Sequence, residues 1–521
     1  MSARFNIKAA DPEAVACLQR ELHMPHFIAA TLVSRGIDTP EAANRFLSPS
    51  LDRDWRDPYT IPGLADVADA LEAAIRRGDH ILVFGDFDLD GISATTVMTR
   101  GLRALGATVT PFIPRRFEEG YAITPAAIER LSQVNPDFLV TVDCGIACKE
   151  EVRLLEQRGI QVAITDHHEP SDLVPEGVPV ADPKCDAACP SAILAGVGVA
   201  LKMVQALGGR FGKPHLWRQF TDFATLGTIA DLMPMRDENR ALVADGLRHI
   251  NETPRPCIAA LLETSGAAAK QVTATNLSFS IIPRLNAAGR MGDAQLALDL
   301  LLTDSFDEAN QLAQRLESVN DQRRAIEAEL SEIAKAQAAE TYKGQRALVV
   351  AGEGWHEGVK GIVASRLVNT YGVPTLLFTI DGDEARGSGR SVGQVNLFKA
   401  VESCSDLLLR FGGHEAAVGV TLPTAKLPEF ERRLCEYMDA LPEGAFHPLI
   451  TIDACVNLDE LTLRNVAQLD ALAPFGQEHS VPVYLARDVT LLHCRAVGAE
   501  RNHFSCSLSN GRTTVAGIMF H

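Results

Sequence analysis

The 521-residue sequence has little positive charge, no long apolar run and no compact set of cysteines. Lysine and arginine number 49 against 67 aspartates and glutamates, which gives a formal net charge of −18. This deficit argues against a protein that coats nucleic acid through bulk electrostatic attraction. If the substrate is a nucleic acid, the positive charge that binds it must be concentrated locally.

No segment approaches the ~18 apolar residues of a membrane span, so we expect no membrane association. The eleven cysteines are an odd number and are scattered, and no apolar leader precedes them. This usage predicts a reducing, cytoplasmic environment. The pairs Cys144–Cys148 and Cys185–Cys189 invite a zinc interpretation, which we disfavour because no further Cys/His set of familiar spacing accompanies them.

The 46% apolar content allows a large core, and the length is enough for about three domains at ~150 residues each. We expect an α/β fold: an N-terminal helical segment, a catalytic domain with a parallel sheet, a linker helix, a smaller α/β domain and an OB-like β-module. The module looks incomplete, because the chain stops at Met519-Phe520-His521 inside a predicted strand. The predicted ranges are 1–57, 58–304, 305–345, 346–445 and 446–521.

Strand-like and helix-like segments alternate in the predicted catalytic domain, as in a doubly wound parallel sheet. The candidate strands are Ile81–Phe84, Ala107–Ile113, Phe138–Val142, Val162–Thr165 and Val178–Ala181. The predicted helices Ser191–Leu207 and Phe220–Asp231 follow them. Further along, apolar residues recur at spacings of three and four between Ser305 and Tyr342, and Ser305 with Glu308 forms a capping box, which predicts one long helix.

Three carboxylates, Asp86, Asp88 and Asp90, follow the first strand at alternate positions, and we expect the next helix to start near Ser93. Like charges on so short a loop repel each other unless a cation lies among them or water solvates them fully. Oxygen ligands alone favour Mg²⁺ or Mn²⁺. A calcium loop is the alternative, but its twelfth position would be Val97 where such loops need glutamate.

Two other strand ends and one helix end carry similar groups. Asp143 follows the strand Phe138–Val142, and Asp231 ends a predicted helix. Asp166, His167 and His168 follow the strand ending at Thr165. Each residue alone has an ordinary structural role, such as a helix N-cap, but the carboxyl ends of neighbouring parallel strands converge on one crevice. Together the six carboxylates and two imidazoles predict a site for two divalent ions.

These four motifs resemble those of the DHH phosphoesterase superfamily, and motifs further along resemble those of the bacterial RecJ exonucleases. The latter are Glu119-Gly120-Tyr121, Asn286 to Arg290, Trp355 to Val359, Gly387 to Arg390 and Gly412 to His414. The resemblance spans about Pro58 to Pro482 and implies a DHH domain joined by the long helix to a DHHA1 domain. Two features depart from it: Gln477-Glu478 stands where the family usually has Gly-Asn, and the family usually continues past His521.

The resemblance implies two Mn²⁺ or Mg²⁺ ions with Asp143 shared between them. Five residues would be direct ligands: Asp88, Asp90, Asp143, His167 and Asp231. Asp86 and Asp166 would lie behind them or handle protons. His168 would donate a hydrogen bond to the charge that develops on the phosphate, with ligation of a metal as its alternative role.

Substrate contacts implied by the resemblance centre on the terminal 5′-phosphate. The candidate residues are Arg115, Arg116, Tyr121, Asn286, Arg290, His356, Ser388, Arg390 and His414. Ser388 and Arg390 are expected in a Gly-rich loop whose amides would bind an anion, and His414 in a second loop of the same cleft. The alternative is that these arginines, and Arg284, pair with surface acids.

The implied activity is a metal-dependent 5′-to-3′ exonuclease on single-stranded DNA that releases 5′-mononucleotides in repair and recombination. Single-strand-binding protein and a RecQ-type helicase would be its partners, and the chain would act as a monomer. Two alternatives stay open: a phosphodiesterase for short oligonucleotides or small nucleotides, and a non-catalytic replication scaffold.

Overall fold

The computed structural model describes residues 4–267, 271–498 and 501–520. The chain divides into two compact units. The larger unit comprises Ser50–Pro442 and Gly476–His479, and the smaller comprises Met1–Pro49, Glu443–Phe475 and Ser480–His521. The predicted division into five domains stays a prediction, and His521 lies outside the described residues. Among the described residues, none of the helices combines the length and apolar character needed to cross a bilayer.

The first sheet of the larger unit has five strands, and every neighbouring pair is parallel. In sheet order the strands are Thr108–Phe112, His80–Phe84, Phe138–Val142, Gln161–Thr165 and Val180–Ala181. All five predicted strands are confirmed, although Thr108–Phe112 and Val180–Ala181 are each two residues shorter than predicted. The central strands of this sheet are buried on both faces, which explains their unbroken apolar runs.

Helices cover both faces of this sheet. Ile81 and Val83 point into a core shared with the helices Leu89–Ala104 and Gly196–Arg210, whereas Leu82 and Phe84 point into a second core under two shorter helices. The helices of the larger unit are Leu51–Asp54, Leu64–Arg77, Leu89–Ala104, Pro125–Leu131, Lys149–Gln157, Gly196–Arg210, Thr221–Ala230, Asp237–Glu252, Pro256–Thr264, Ala274–Asn276, Ile282–Arg290, Ala294–Leu302, Phe306–Thr341, Lys360–Tyr371, Leu397–Glu402 and Leu427–Asp439.

The long helix is confirmed and runs from Phe306 to Thr341, a length of 36 residues. Ser305 caps it by accepting a hydrogen bond from the amide of Glu308 (3.4 Å). Its first half contributes Leu316 to the core of the parallel-sheet region, and its second half contributes Leu330 to the core of the next α/β region. One helix therefore belongs to two cores and joins them.

The second sheet of the larger unit is mixed and has five strands. Their order is Arg410–His414, Ala417–Pro423, Glu384–Arg390, Thr375–Asp381 and Leu348–Glu353. The predicted Gly-rich loops at Gly387–Arg390 and Gly412–His414 are wrong, because both segments lie within strands. Glycine serves packing here: a Cβ on Gly387 would lie 2.4 Å from the ring of Phe378.

The smaller unit combines residues from both ends of the chain. The N-terminal helices share a core with residues such as Ala454, Val456 and Leu472. Its strands are Arg4–Ile7, Leu449–Ile452, Ala454–Cys455, Tyr484–Leu485, Thr490–Val497, His503–Ser509 and Thr514–Met519, and its helices are Pro12–Leu22, His26–Ser34, Pro40–Leu47 and Leu463–Ala467. Arg4–Ile7 pairs in parallel with Leu449–Ile452, and the last three strands form an antiparallel sheet.

Candidate active site

The first acidic motif lies where the strand His80–Phe84 gives way to the helix Leu89–Ala104. Asp88 is the N-cap, and its carboxylate accepts a hydrogen bond from the amide of Gly91 (3.0 Å). The helix therefore begins at Leu89, before the predicted start near Ser93, and Asp90 lies in its first turn. Gly91 permits this turn, because a Cβ there would lie 2.6 Å from the backbone nitrogen of Asp86.

The imidazole of His167 meets carboxylates from three other segments. Its Nε2 atom lies 3.0 Å from Oδ1 of Asp143. The same nitrogen lies 3.8 Å from Oδ2 of Asp90 and 3.6 Å from Oδ2 of Asp231. The four motifs that the sequence placed at strand and helix ends thus converge, as the parallel sheet predicted.

Two groups of potential ligand atoms adjoin each other. Asp90, His167 and Asp231 form one group, in which one ligand atom from each residue lies within 4.8 Å of the others. Asp86, Asp88 and Asp143 form the second group, in which the ligand atoms also lie within 4.8 Å of one another. Asp143 also forms a group with His167 and His168, so it connects the two sets, and His168 lies within reach of its alternative role as a ligand.

The electrostatics of this set fit two divalent cations. Burial and the charge of Asp88 raise the pKa of Asp86 to about 8 and that of Asp231 to about 7. Burial and neighbouring carboxylates also raise the pKa of Asp143 well above its ordinary value. Oδ1 of Asp86 is buried and has no hydrogen-bond partner, and Oδ1 of Asp143, although 3.0 Å from Nε2 of His167, accepts no hydrogen bond. Unpartnered oxygens in a cluster of like charges are the donors that hard divalent ions require.

Two glycines and a helix N-terminus, which the sequence analysis missed, shape this set. The amides of Gly196 and Val197 donate to Oδ2 (2.7 Å) and Oδ1 (3.1 Å) of Asp90, so the start of the helix Gly196–Arg210 orients that carboxylate. A Cβ on Gly196 would lie 2.6 Å from Oδ1 of Asp143, and a Cβ on Gly227 would lie 2.6 Å from Oδ1 of Asp90. Only glycine fits these positions without moving a ligand.

Asp182 is a further carboxylate that the sequence analysis missed. It follows the strand Val180–Ala181 at the same edge of the sheet and is fully buried. Its Oδ1 accepts a hydrogen bond from the amide of Lys184 (2.7 Å), and burial raises its pKa to about 7. The sequence did contain the pattern that indicates such a carboxylate, because the predicted fifth strand, Val178–Ala181, ends directly before Asp182.

His167 and His168 are neighbours in opposite protonation states. Burial and the charge of His168 lower the pKa of His167 to about 3, so His167 is neutral, as a metal ligand must be. Burial alone lowers the pKa of His168, but the hydrogen bond between its Nδ1 and Asp166 (2.8 Å) raises it to about 9. His168 is therefore cationic at neutral pH, and its Nε2 lies 3.5 Å from the hydroxyl of Tyr121.

Asp166 is held as a carboxylate behind the two histidines. Its oxygens accept hydrogen bonds from the amides of Ile146 (2.9 Å) and His167 (2.7 Å) as well as from His168. Burial alone raises its pKa, but these hydrogen bonds leave the pKa below its ordinary value. Asp166 thus orients His168 and keeps it charged.

A cluster of partly buried arginines lies in the same unit, and we call Arg116, Arg290 and Arg390 the cation cluster. Burial lowers the pKa of Arg290 to about 10, and repulsion from Arg116 and Arg390 adds to this effect. Arg290 donates to the carbonyl of Gly358 (3.3 Å), and Arg390 donates to Oγ of Ser388 (3.3 Å). An anion placed among these cations would relieve their mutual repulsion.

Close backbone packing builds this cluster. A Cβ on Gly358 would lie 2.0 Å from the carbonyl oxygen of Arg290. A Cβ on Gly361 would lie 2.5 Å from Nη2 of Arg390 and 3.2 Å from Oγ of Ser388. The start of the helix Lys360–Tyr371 therefore lies directly against the cluster.

The remaining predicted substrate contacts are distributed around these two centres. Arg115 is exposed and ion-paired with Glu118 (2.7 Å), whereas Arg116 belongs to the cation cluster. Arg284 pairs with the partly buried Glu317 through Nη2 (3.1 Å).

Asn286, His356 and His414 lie at different places relative to the two centres. Asn286 accepts a hydrogen bond from the amide of Leu89 (3.2 Å), next to the first acidic motif. The ring of His356 packs edge-on against Phe117 at 5.5 Å. His414 is exposed and pairs with Ala417, which also pairs with Arg390, so His414 lies two strands from Arg390, about 10 Å away.

Comparisons with known proteins agree with this arrangement. Residues 80–228 match the DHH family N-terminal domain, residues 344–440 the DHHA1 domain and residues 452–521 the RecJ OB domain. The sequence is 33% identical to the single-stranded-DNA-specific exonuclease RecJ of Salmonella typhimurium, over all of this chain and 93% of that protein. The chain belongs to the RecJ family.

Other RecJ proteins match with different coverage. The RecJ of Bacillus subtilis is 35% identical over 99% of this chain, which spans 66% of that protein's length. The crystal structure of Thermus thermophilus RecJ in complex with Mn²⁺ superposes with a TM-score of 0.85 at 31% identity, covering 99% of this chain and 74% of that one. The predicted α/β fold with DHH, DHHA1 and OB-like parts is confirmed.

Proposed function

We infer that this RecJ-family chain is a metal-dependent exonuclease that degrades single-stranded DNA from the 5′ end and releases 5′-mononucleotides, in DNA repair and recombination. The observation that carries the proposal is the pairing, within one unit, of a carboxylate and imidazole cluster with a partly buried cation cluster. The first suits a reacting phosphodiester, and the second suits a phosphate that does not react.

We propose that five residues hold two Mn²⁺ or Mg²⁺ ions: Asp88, Asp90, Asp143, His167 and Asp231. Asp143 is the shared ligand, because it groups with ligand atoms of both sets. The chemistry that such ions supply is acidification of a water molecule and neutralisation of charge on phosphate oxygens. The crystal structures titled RecJ in complex with Mn²⁺ and with Mg²⁺ from Thermus thermophilus support this choice of ion.

The protein's own side chains then bind and polarise the scissile phosphate. Cationic His168 donates from Nε2 to a phosphate oxygen as negative charge develops, and Asp166 fixes the opposite nitrogen of the ring. The ring of Tyr121 packs edge-on against that of His168, with centroids 6.2 Å apart, and helps to hold its orientation. Asp86, whose Oδ1 is buried without a hydrogen-bond partner, handles a proton within the pocket.

The cation cluster binds the terminal 5′-phosphate in this proposal. Arg116, Arg290 and Arg390 supply forked N–H groups, and Ser388 supplies a hydroxyl beside Arg390. A phosphate held there places the next phosphate in the chain at the carboxylate set, so each cut removes one nucleotide. The contacts involve the backbone of the nucleic acid, so base sequence has little effect on binding.

The test compares two substrates, a single strand and a duplex. It also compares the wild-type enzyme with variants that each lack one carboxylate. A 5′-phosphorylated single strand with Mn²⁺ should release mononucleotides from the 5′ end, whereas duplex DNA should resist degradation. Asp143→Asn should abolish this activity, and exposed Asp172→Asn should leave it unchanged. Activity only on dinucleotides would support the small-substrate phosphodiesterase instead. Full activity in the Asp143 variant would show that the activity does not come from this carboxylate set, and would favour the non-catalytic scaffold.

We also propose how the enzyme is used. Single-strand-binding protein and a RecQ-type helicase are the proposed partners, because one holds and the other generates the single strand that the enzyme degrades. We propose a monomer acting in the cytoplasm, and the eleven unpaired cysteines support a reducing environment.

A further inference from the structure

The loop at residues 231–236 begins with the proposed ligand Asp231 and ends at the helix Asp237–Glu252. Its second residue, Leu232, has a φ of 54° and a side chain that is 68% exposed. A leucine in the left-handed region costs on the order of 1–3 kcal/mol, and an exposed leucine recovers little of this cost through burial. The loop therefore depends on contacts from outside itself to keep Asp231 in place.

Asn239 supplies such a contact from the first turn of the helix Asp237–Glu252. Its side chain is fully buried, and its Nδ2 donates hydrogen bonds to carbonyls of two different loops. One is the carbonyl of Pro234, in the loop at residues 231–236 (3.1 Å), and the other is the carbonyl of Ile193 (2.6 Å). A single amide group therefore fastens two loops to each other.

The other end of this amide group is unsatisfied. Oδ1 of Asn239 is buried and has no hydrogen-bond partner among the described residues. A buried acceptor without a partner costs about 1–3 kcal/mol, which offsets much of what two donated hydrogen bonds contribute. The presence of asparagine here is therefore better explained by the geometry that it imposes than by the stability that it adds.

Both loops lead to ligands of the same group. Ile193 lies three residues before Gly196, whose amide donates to Oδ2 of Asp90 (2.7 Å). Pro234 lies three residues after Asp231. Asp90 and Asp231 belong to one group of potential ligands, whose atoms lie within 4.8 Å of one another. A tie between the two loops therefore sets the spacing of two ligands of one ion.

We propose that Asn239 is a positioning residue that holds Asp90 and Asp231 at the spacing required by one of the two divalent ions, and the proposal rests on the metal-dependent function inferred above. Asn239 acts through the two loops and is not itself a ligand. The second group of carboxylates is held differently, since Asp88 caps its own helix through the amide of Gly91 (3.0 Å). Loss of the Asn239 amide should therefore weaken the binding of one ion much more than that of the other.

The test measures Mn²⁺ binding to the whole chain, by isothermal titration and by the occupancy of anomalous peaks in crystals soaked in Mn²⁺. In Asn239→Leu the two carbonyls lose their common donor. The affinity for the ion between Asp90 and Asp231 should fall by about tenfold, as is typical when a group that orients metal ligands is removed. The affinity for the other ion should change by less than about twofold.

The dependence of the rate on Mn²⁺ gives a second readout. At limiting Mn²⁺ the Asn239→Leu variant should have a lower kcat on a single strand than the wild type, with an unchanged KM for the strand. Saturating Mn²⁺ should restore kcat, because the variant keeps every proposed ligand and loses only affinity for an ion. A general loss of folded protein would not produce this pattern.

Asn251 provides a matched control in the same helix. Its Nδ2 also donates to two carbonyls, those of Leu247 (2.8 Å) and Val272 (2.9 Å). Asn251→Leu should lower the melting temperature and leave both Mn²⁺ affinities unchanged. Asn239→Ser, whose hydroxyl can donate one hydrogen bond, should show a smaller loss of affinity for the same ion, and it keeps the test valid if Asn239→Leu does not fold.

Each outcome has a defined meaning. If the wild type binds two Mn²⁺ ions and the Asn239 variants bind both with wild-type affinity, the positioning role is overturned while the proposed function stands. If the variants of Asn239 and Asn251 weaken both ions equally, the effect is one of general stability and the positioning role is again overturned. If the wild type binds no Mn²⁺ and degrades no single strand, the proposed function fails and the positioning role fails with it.

Discussion

Replacing Gly196 with alanine should disable the metal site while leaving the fold intact. A Cβ at this position would lie 2.6 Å from Oδ1 of Asp143, against an ordinary contact of at least 3.4 Å, so the proposed shared ligand must move by about 0.8 Å. Displacements of this size in a catalytic arrangement cost about a hundredfold in rate. We therefore expect kcat to fall about a hundredfold and Mn²⁺ affinity to fall about tenfold or more.

Gly209 provides a matched control in the same helix, Gly196–Arg210. A Cβ there meets nothing within 4 Å, so Gly209→Ala should keep full activity and gain about 0.5–1 kcal/mol of stability from lower chain entropy. Isothermal titration with Mn²⁺ and single-strand degradation assays measure the two effects. Wild-type Mn²⁺ affinity and kcat in the Gly196 variant would refute the proposed role of Asp143.

Three further predictions concern charge. The folded protein raises the pKa of Asp86 to about 8 and that of Asp231 to about 7, so the stability of the metal-free protein should fall as pH rises through these values. Mn²⁺ should therefore raise the melting temperature more at pH 8.5 than at pH 6. An equal rise at the two pH values would contradict the electrostatic argument for the carboxylate set. His168→Gln should lower kcat about a hundredfold with little change in KM. The kcat of the wild type should decline above about pH 9, because His168 loses its proton there. A wild-type rate that does not change across that pH range would count against the donor role of His168. Arg390→Gln should remove most of the preference for a 5′-phosphate over a 5′-hydroxyl, measured as a ratio of kcat/KM, and a retained preference would exclude Arg390 from that contact.

The parallel sheet and the convergence of its acidic motifs were predictable because their causes are local. A strand buried on both faces must be apolar throughout, as Ile81–Phe84 is, and a ligand at its carboxyl end must follow it directly. The start of the next helix was misplaced, because an aspartate in such a loop serves equally as a metal ligand and as an N-cap. Asp88 has the capping role in the structure, which moves the helix start to Leu89.

Features that depend on distant contacts were not predictable. Asp90 is held by the amides of Gly196 and Val197, more than a hundred positions away, and no local pattern announces that contact. Gly387–Arg390 was interpreted as a loop because glycine is common in turns, whereas its small size admits the ring of Phe378 within a sheet. The strand Thr490–Val497 pairs with His503–Ser509 through a register shift between Leu492 and Arg495, and this shift interrupts its alternation.

The most direct test is a crystal of this chain soaked in Mn²⁺ and measured for anomalous scattering. We predict two peaks inside the pocket formed by Asp88, Asp90, Asp143, His167 and Asp231, with Asp143 in contact with both. Peaks elsewhere, or a pocket that stays free of Mn²⁺ at saturating concentration, would contradict a two-metal exonuclease.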